Sequence, residues 1–162
     1  MSKSVEASNS TLLTVGVLWD YNKSPAIYKC PADRKNYNGV LTTRSMSMSA
    51  HMNVIYGGFA DYVTGTYRVY RKLSTIDNPS ERWVFMDENP DSINDGMLWI
   101  YCDSPSWVDF PATYHNLSGS LSFADGHSGL HKYRDDRTRT RTPPASDNQD
   151  YFWLRDHTSS LK

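Results

Sequence analysis

The pair Asp125-Gly126 constrains this chain more than any other two residues. A tight two-residue turn needs backbone with positive φ, which Asp-Gly supplies, and alternating residues on either side make it a strong hairpin signal. Here Leu121 and Phe123 alternate with Ser120 and Ser122 on the approach, and residues 130–133 form the return. Other short runs read the same way. Residues 40–49 alternate Thr, Arg and Ser with Leu and Met. Tyr67, Val69, Arg71 and Leu73 alternate with Arg68, Tyr70 and Lys72, and residues 82–86 and 97–101 are short buried-strand candidates. Cys30-Pro31-Ala32-Asp33 and Asn78-Pro79-Ser80 are turns. Residues 53–66, with Gly57, Gly58 and Gly65, read as a loop, and residues 12–21 fit either a helix end or a strand.

No long amphipathic helix and no internal repeat accompanies these runs. The pattern predicts an α+β fold with an antiparallel β-sheet of about four or more strands, elaborated by loops around 87–96 and 104–115. Such a sheet needs a cover over at least one face. The 162 residues suit one domain. Within 1–162, residues 1–10 read as a loose start and 137–149 as a tail linker, with 150–157 as an aromatic segment that docks on the sheet.

Charge excludes one class of partner. Lys plus Arg is 17 against Asp plus Glu 18, a net charge of -1, so the basic excess of a general nucleic-acid binder is missing. Eleven Tyr and five Trp argue for a packed chain, because disorder depletes aromatics. No apolar run approaches the roughly 20 residues of a membrane span, and no secretory signal pattern is visible. The chain as given is expected to be soluble. Two cysteines, Cys30 and Cys102, permit a single bridge and do not define a redox compartment.

Two constellations carry chemistry. Asp87, Glu88, Asn89, Asp91, Asn94 and Asp95 crowd into one loop before Gly96. Oxygen donors at this density suit calcium, which takes about 6–8 of them, although the spacing is not that of an EF-hand. The alternative is a loop whose Asx side chains cap its own backbone. The second constellation is His115, then Asp125, Gly126 and His127. Two imidazoles and a carboxylate could ligate zinc or relay a proton, while the plainer reading is a hairpin turn with His115 bound to a backbone carbonyl. Asp87 and Asp125 each end a predicted strand, and the loop and the hairpin are expected to meet in space, with His115 and the backbone of residues 92–95 as donors to the two acids. No nucleophile elbow, C-x-x-C pair or phosphate loop is present. The five tryptophans read mainly as packing, with Trp107 the one expected to be exposed; a sugar-stacking face is the other reading. Arg137, Arg139 and Arg141 would share a face in a strand or belong to a solvated tail.

Several segments, in order, resemble a known family. The run from Tyr114-His115 to Asp125-Gly126-His127 is similar to the H-x9-D-G signature of bacterial prepilin-type, pseudopilin-like proteins. Residues 28–33 resemble its F-x-C-P-x-D element, residues 44–49 its R-S-Y-S-M-N strand, residues 79–96 its acidic-loop element and residues 150–154 its closing D-x-x-W-L segment. The resemblance spans residues 25–157. It implies the head of a structural subunit of a type II secretion or type IV pilus-like system, with no catalytic activity. In that family a cleaved leader and a long apolar helix precede the head. The implied partners are other pseudopilin subunits, met through that helix, which this chain lacks, and a secreted substrate or surface ligand. The implied setting is the periplasm or cell surface, membrane-anchored in the full-length protein. Related pseudopilins order a head loop with calcium, and residues 87–95 are the segment here that could do the same. The loop sequence differs from theirs, so the candidate ligands Asp87, Glu88, Asp91, Asn94 and Asp95 rest on their own oxygen donors and not on the resemblance. A secreted carbohydrate-binding or metal-dependent hydrolytic domain is the rival reading.

Overall fold

A computed structural model describes residues 8–53, 65–142 and 146–162. Most of the expected loop at 53–66, the first part of the loose start and Pro143-Pro144 lie outside the described residues. Two short helical turns, α1 (Thr11–Thr14) and α2 (Trp19–Asn22), lead through a 3-10 turn at Pro25–Tyr28 into a small ribbon. In that ribbon β1 (Asn36–Tyr37) pairs with β2 (Val40–Leu41). Asn38 and Gly39 sit at φ 52° and 83° between them, the positive values a two-residue hairpin turn requires. The run at 40–49 is therefore not one strand. Its first part closes the ribbon, and its second enters the main sheet as β3 (Met46–Ser49).

The main sheet has five strands. With β4 (Trp83–Asp87), β5 (Met97–Leu98), β6 (Ser118–Phe123) and β7 (Ser128–Lys132), the order is β5-β3-β4-β6-β7. Three of the four pairings are antiparallel, and β3 with β5 is parallel. The sheet is thus mainly antiparallel, as expected, and its one parallel edge has a topological reason. The acidic loop crosses the end of β3, so β5 returns against β4 and therefore alongside β3. The β6–β7 hairpin turns at Asp125-Gly126, with Gly126 at φ 95°. The expected strand at 67–73 is not a ladder strand: Tyr67 and Tyr70 make single bridges to Leu161 and Met52, and a 3-10 turn follows at Leu73–Thr75.

Register explains the core. A bulge between Trp83 and Phe85 breaks the two-residue period of β4, so Trp83 and Met86 both face the side where Leu121 lies. Helix α4 (Gln149–Thr158) covers that side. Asn148 caps it by accepting from Tyr151 N, and Asp150 in the first turn suits the positive end of the helix. Tyr151 and Leu154 join Trp83, Met86, Leu98, Ile100, Trp107, Leu121 and Tyr133 in one apolar cluster. The indole Nε1 of Trp83 donates to Thr158 Oγ1 at 3.0 Å, satisfying the one polar atom of a fully buried ring.

The first part of the expected tail linker is helical. Residues 136–140 form α3 (Asp136–Thr140), capped by Asp135, which accepts from Arg137 N. Thr138 is buried and donates to Asp150 Oδ2 at 2.9 Å. Arg137 pairs with Asp135 and Asp147, Arg139 with Asp136, and Arg141 with Asp91. Helical geometry sends these arginines to different acids and not to one strand face.

The second face of the sheet is less closed. Met48 and Phe85 are cross-strand partners there. With Leu12, Leu13 and Leu18 they line a groove beside α1 and α2. Leu12, Val15, Val17, Leu18 and Tyr21 remain exposed. No described helix is long and apolar enough to cross a membrane.

Candidate functional site

Three side chains far apart in sequence meet at one end of β4 and β6: Cys30, Asp87 and His115. Each is placed by a different local device. Cys30 follows the Pro25–Tyr28 turn and precedes Pro31. Its N–H donates to Ser45 Oγ at 2.7 Å, tying the turn to the residue that leads into β3. Ala32 N donates to Cys30 Sγ at 3.4 Å, so the sulfur already holds a backbone donor. Asp87 is the last residue of β4 and is fully buried. Ser120 Oγ, from the neighbouring strand, donates to its Oδ2. Its Oδ1 is buried and has no hydrogen-bond partner.

His115 is presented by a reversed turn. Asn116 and Leu117 lie at φ 53° and 63°. For leucine this left-handed region costs about 1–2 kcal/mol, and such strain persists where surrounding structure fixes it. His115 N donates to Ser118 O at 3.1 Å and Ser118 N donates back to His115 O at 3.2 Å, which closes the turn. The ring then lies against the end of β4. Its Nε2 is 3.5 Å from Cys30 Sγ and 3.4 Å from Asp87 Oδ2. The His115 side chain is 30% exposed, so one side of the group faces solvent. Immediately below, Gly119 makes room: a Cβ there would stand 2.7 Å from Tyr133 Oη and 3.0 Å from the Ala112 carbonyl oxygen.

The residues of the acidic loop do not converge. Asp87 and Glu88 are consecutive in an extended chain and point to opposite sides. Glu88 accepts from Ser47 Oγ and Ser92 Oγ. Burial, and then the nearby Asp109 charge, push its carboxyl up to about 8, which leaves it a neutral acid near neutral pH. Asp91 is exposed and pairs with Lys35 and Arg141. Its carboxyl lies below the ordinary value, chiefly through the Lys35 hydrogen bond. Asp95 Oδ1 accepts from Met97 N, and Asn89 Oδ1 from Asp91 N. Asn94 is exposed. The loop is thus built from Asx side chains that cap backbone N–H groups two residues ahead, as in the alternative weighed above.

The second sequence constellation is split by the length of β6. His115 stands before its first residue, while Asp125, Gly126 and His127 form the hairpin tip beyond its last. At the tip Asp125 Oδ1 and His127 Nδ1 pair at 2.6 Å, and His127 stacks on Phe123. The meeting of Asp87 with Asp125 expected from sequence does not occur. Trp83 pairs with Phe123 and Met86 with Leu121, and Ala124 N donates to the Arg82 carbonyl, so antiparallel register carries Asp125 past the opposite end of β4 from Asp87. What meets Asp87 is His115.

The tryptophans divide differently from the sequence reading too. Trp107 is buried, stacked on Phe110 and edge-on to Tyr151. Trp153 is sandwiched between His131 and His157, with ring centroids at 3.6 and 3.9 Å. Both of its faces are occupied. Cys30 is the site residue that sequence reasoning missed. Its Cys-Pro turn was visible, but nothing local signals a partner 85 residues away. Comparison with protein-family models, with curated proteins and with solved structures finds no match to this chain.

Proposed function

We propose that this chain is the β-rich head of a pseudopilin-like structural subunit, working by assembly and surface contact and not by turnover. The observation that supports this reading is the inequality of the two sheet faces. Helix α4 seals one face with Tyr151 and Leu154. The other carries a groove of ≈ 390 Å³ lined by Leu12, Leu13, Leu18, Met46, Met48 and Phe85. Next to it Val15 and Val17 are 75% and 83% exposed. Contiguous apolar surface of this kind marks a contact site more often than a free surface. An apolar helix of a subunit, laid on this groove, would bury it as one layer covers another in a two-layer domain. The setting consistent with this reading is the periplasm or cell surface.

The test is photo-crosslinking in the source cells, with a photoreactive residue in place of Leu18 or Phe85. A ladder of products containing prepilin-type subunits is expected. A chain that stays uncrosslinked at both positions, with secretion and surface filaments unchanged on deletion of the gene, overturns the reading.

A further inference from the structure

We infer that Cys30, Asp87 and His115 form a binding site for a zinc-like divalent transition metal. The inference does not depend on the pseudopilin reading.

The spacing carries it. In a tetrahedral zinc site, Zn–S of about 2.3 Å and Zn–N or Zn–O of about 2.05 Å place sulfur and nitrogen about 3.5 Å apart, and nitrogen and oxygen about 3.35 Å apart. The observed separations are 3.5 Å for Cys30 Sγ to His115 Nε2 and 3.4 Å for His115 Nε2 to Asp87 Oδ2. All three donor atoms lie within 4.8 Å of one another. Among the described residues no other group of three His, Cys, Asp or Glu side chains converges in this way.

The competing chemistry for these residue types is a cysteine nucleophile with a histidine base and an orienting carboxylate. In that arrangement the carboxylate holds one ring nitrogen while the other faces the nucleophile. Here the sulfur and the carboxylate address the same nitrogen, Nε2. A single proton on Nε2 cannot serve both. A cation in front of Nε2 serves all three.

Asp87 supplies the independent observation. It is fully buried, yet its Oδ1 has no hydrogen-bond partner. A buried carboxylate with a single hydroxyl donor for its two oxygens is costly to keep ionised, and a divalent ion at Oδ2 offsets that cost by balancing the charge. A thiolate and a carboxylate together balance the two positive charges, with a neutral imidazole completing the set. Ser120 Oγ on Asp87 Oδ2 and Ala32 N on Cys30 Sγ fix the orientation of two donors from outside, as metal sites require. The donor set of one sulfur, one nitrogen and one oxygen selects a borderline metal over calcium or magnesium. The exposed side of His115 leaves a fourth position for water. Bound metal would clamp three segments: the Cys30 turn, the end of β4 and the turn before β6.

The experiment is titration of the whole reduced, chelator-treated chain with zinc by calorimetry, and with cobalt(II) by absorption. One equivalent of zinc should bind, and cobalt should give a sulfur-to-cobalt charge-transfer band. Both signals should be lost in Cys30→Ser, Asp87→Asn and His115→Gln, and should survive in Cys102→Ser. Circular dichroism identifies any variant that fails to fold, and the surviving folded variants then decide. No binding by the folded parent chain overturns the inference. So does a charge-transfer band that persists in Cys30→Ser or disappears in Cys102→Ser.

Discussion

The two ends of β4 handle buried charge in opposite ways. At the N-terminal end Arg82 is almost fully buried, and both terminal nitrogens of its guanidinium are paired while Nε has no partner. Nη2 donates to Asp77 Oδ2 at 2.8 Å and Nη1 to the Asp156 carbonyl at 2.6 Å. Burial alone would raise the Asp77 carboxyl, but hydrogen bonds from Arg82, Tyr70 and Ser160 outweigh it and hold the group well below the usual carboxylate range. At the C-terminal end, Asp87 and Glu88 are buried with hydroxyl donors; Asp87 Oδ2, which accepts from Ser120, lies 3.4 Å from His115 Nε2, and Oδ1 has no partner. A charge closed by its partners is architecture. A buried carboxylate left half-satisfied next to an imidazole and a thiol is a place for a ligand.

The second thiol–imidazole pair sharpens the point. Cys102 Sγ also lies 3.5 Å from a histidine nitrogen, His51 Nε2. There His51 Nδ1 is held by the Arg68 carbonyl at 2.8 Å, and both residues are buried. Burial pushes the Cys102 thiol up to about 12 and lowers the His51 imidazole. A neutral thiol donating to a neutral ring is a packing contact. The same two residue types thus give an inert pair in one place and two of three converging donors in another.

The contrast can be broken from either end. The largest effect should come from Arg82→Met, which removes the donor to the Asp156 carbonyl and to Asp77 Oδ2. A loss of about 3 kcal/mol in urea unfolding is expected, and an unchanged midpoint would show that the Arg82 network is not structural. Next is the pH profile at the other end. The folded Glu88 carboxyl sits at about 8 against an ordinary 4.5. Between those values the folded chain holds a proton that the unfolded chain releases. This contribution to stability is full below about pH 4.5 and falls as pH rises toward about 8. Chelated parent chain should therefore lose stability steadily over that range, and Glu88→Gln should flatten the fall. A parent profile that rises instead would refute the buried neutral acid.

Gly119→Ala comes third. Its Cβ would press on Tyr133 Oη and the Ala112 carbonyl, costing about 1–2 kcal/mol in thermal or urea melts. Asp87→Asn should differ in kind from Arg82→Met. Without metal it removes a poorly satisfied buried charge, so the melting temperature should hold or rise, while any stabilisation by zinc disappears. A severe loss without metal would place Asp87 with the structural ion pairs. The smallest effect is expected at Asp125→Asn. The Asp125–His127 pair is exposed at the hairpin tip, and no change in melting should be measurable.

Local signals carried much of the fold. Asp125-Gly126 located the β6–β7 hairpin, and the apolar run around Trp83 and Met86 located the central strand. Asp150 to Asp156 lies within the element that covers the sheet, although its helical form was not foreseen. Its aromatic residues favour neither helix nor strand strongly, and tertiary packing chose. The tail at 137–149 looked like a linker because Arg and Thr alternate there. Thr138 and the Asp135 cap make it a helix only because Asp150 waits opposite to receive the Thr138 hydroxyl. The strand expected at 67–73 failed for a related reason: alternation marks a strand only where a neighbour lies alongside to pair with it.

The candidate site shows where reading along the chain stops. His115 and Asp87 both stood out in sequence, and His115 does reach Asp87 as one of its expected donors, but the other companions assigned to each are not there. His115 was grouped with Asp125 and His127 because they are near in sequence, and Asp87 with the acids that follow it. A strand's length separates the first set, and its alternation separates the second. The sequence by itself determined the residue chemistry available here: the α+β class, the hairpin turn, a near-neutral charge, and a chain rich in aromatic side chains. Only the tertiary structure decided which of those residues meet, because antiparallel register carries Asp125 to the opposite end of β4 from Asp87, and packing brings Cys30, from a turn far back in the chain, against Asp87 and His115.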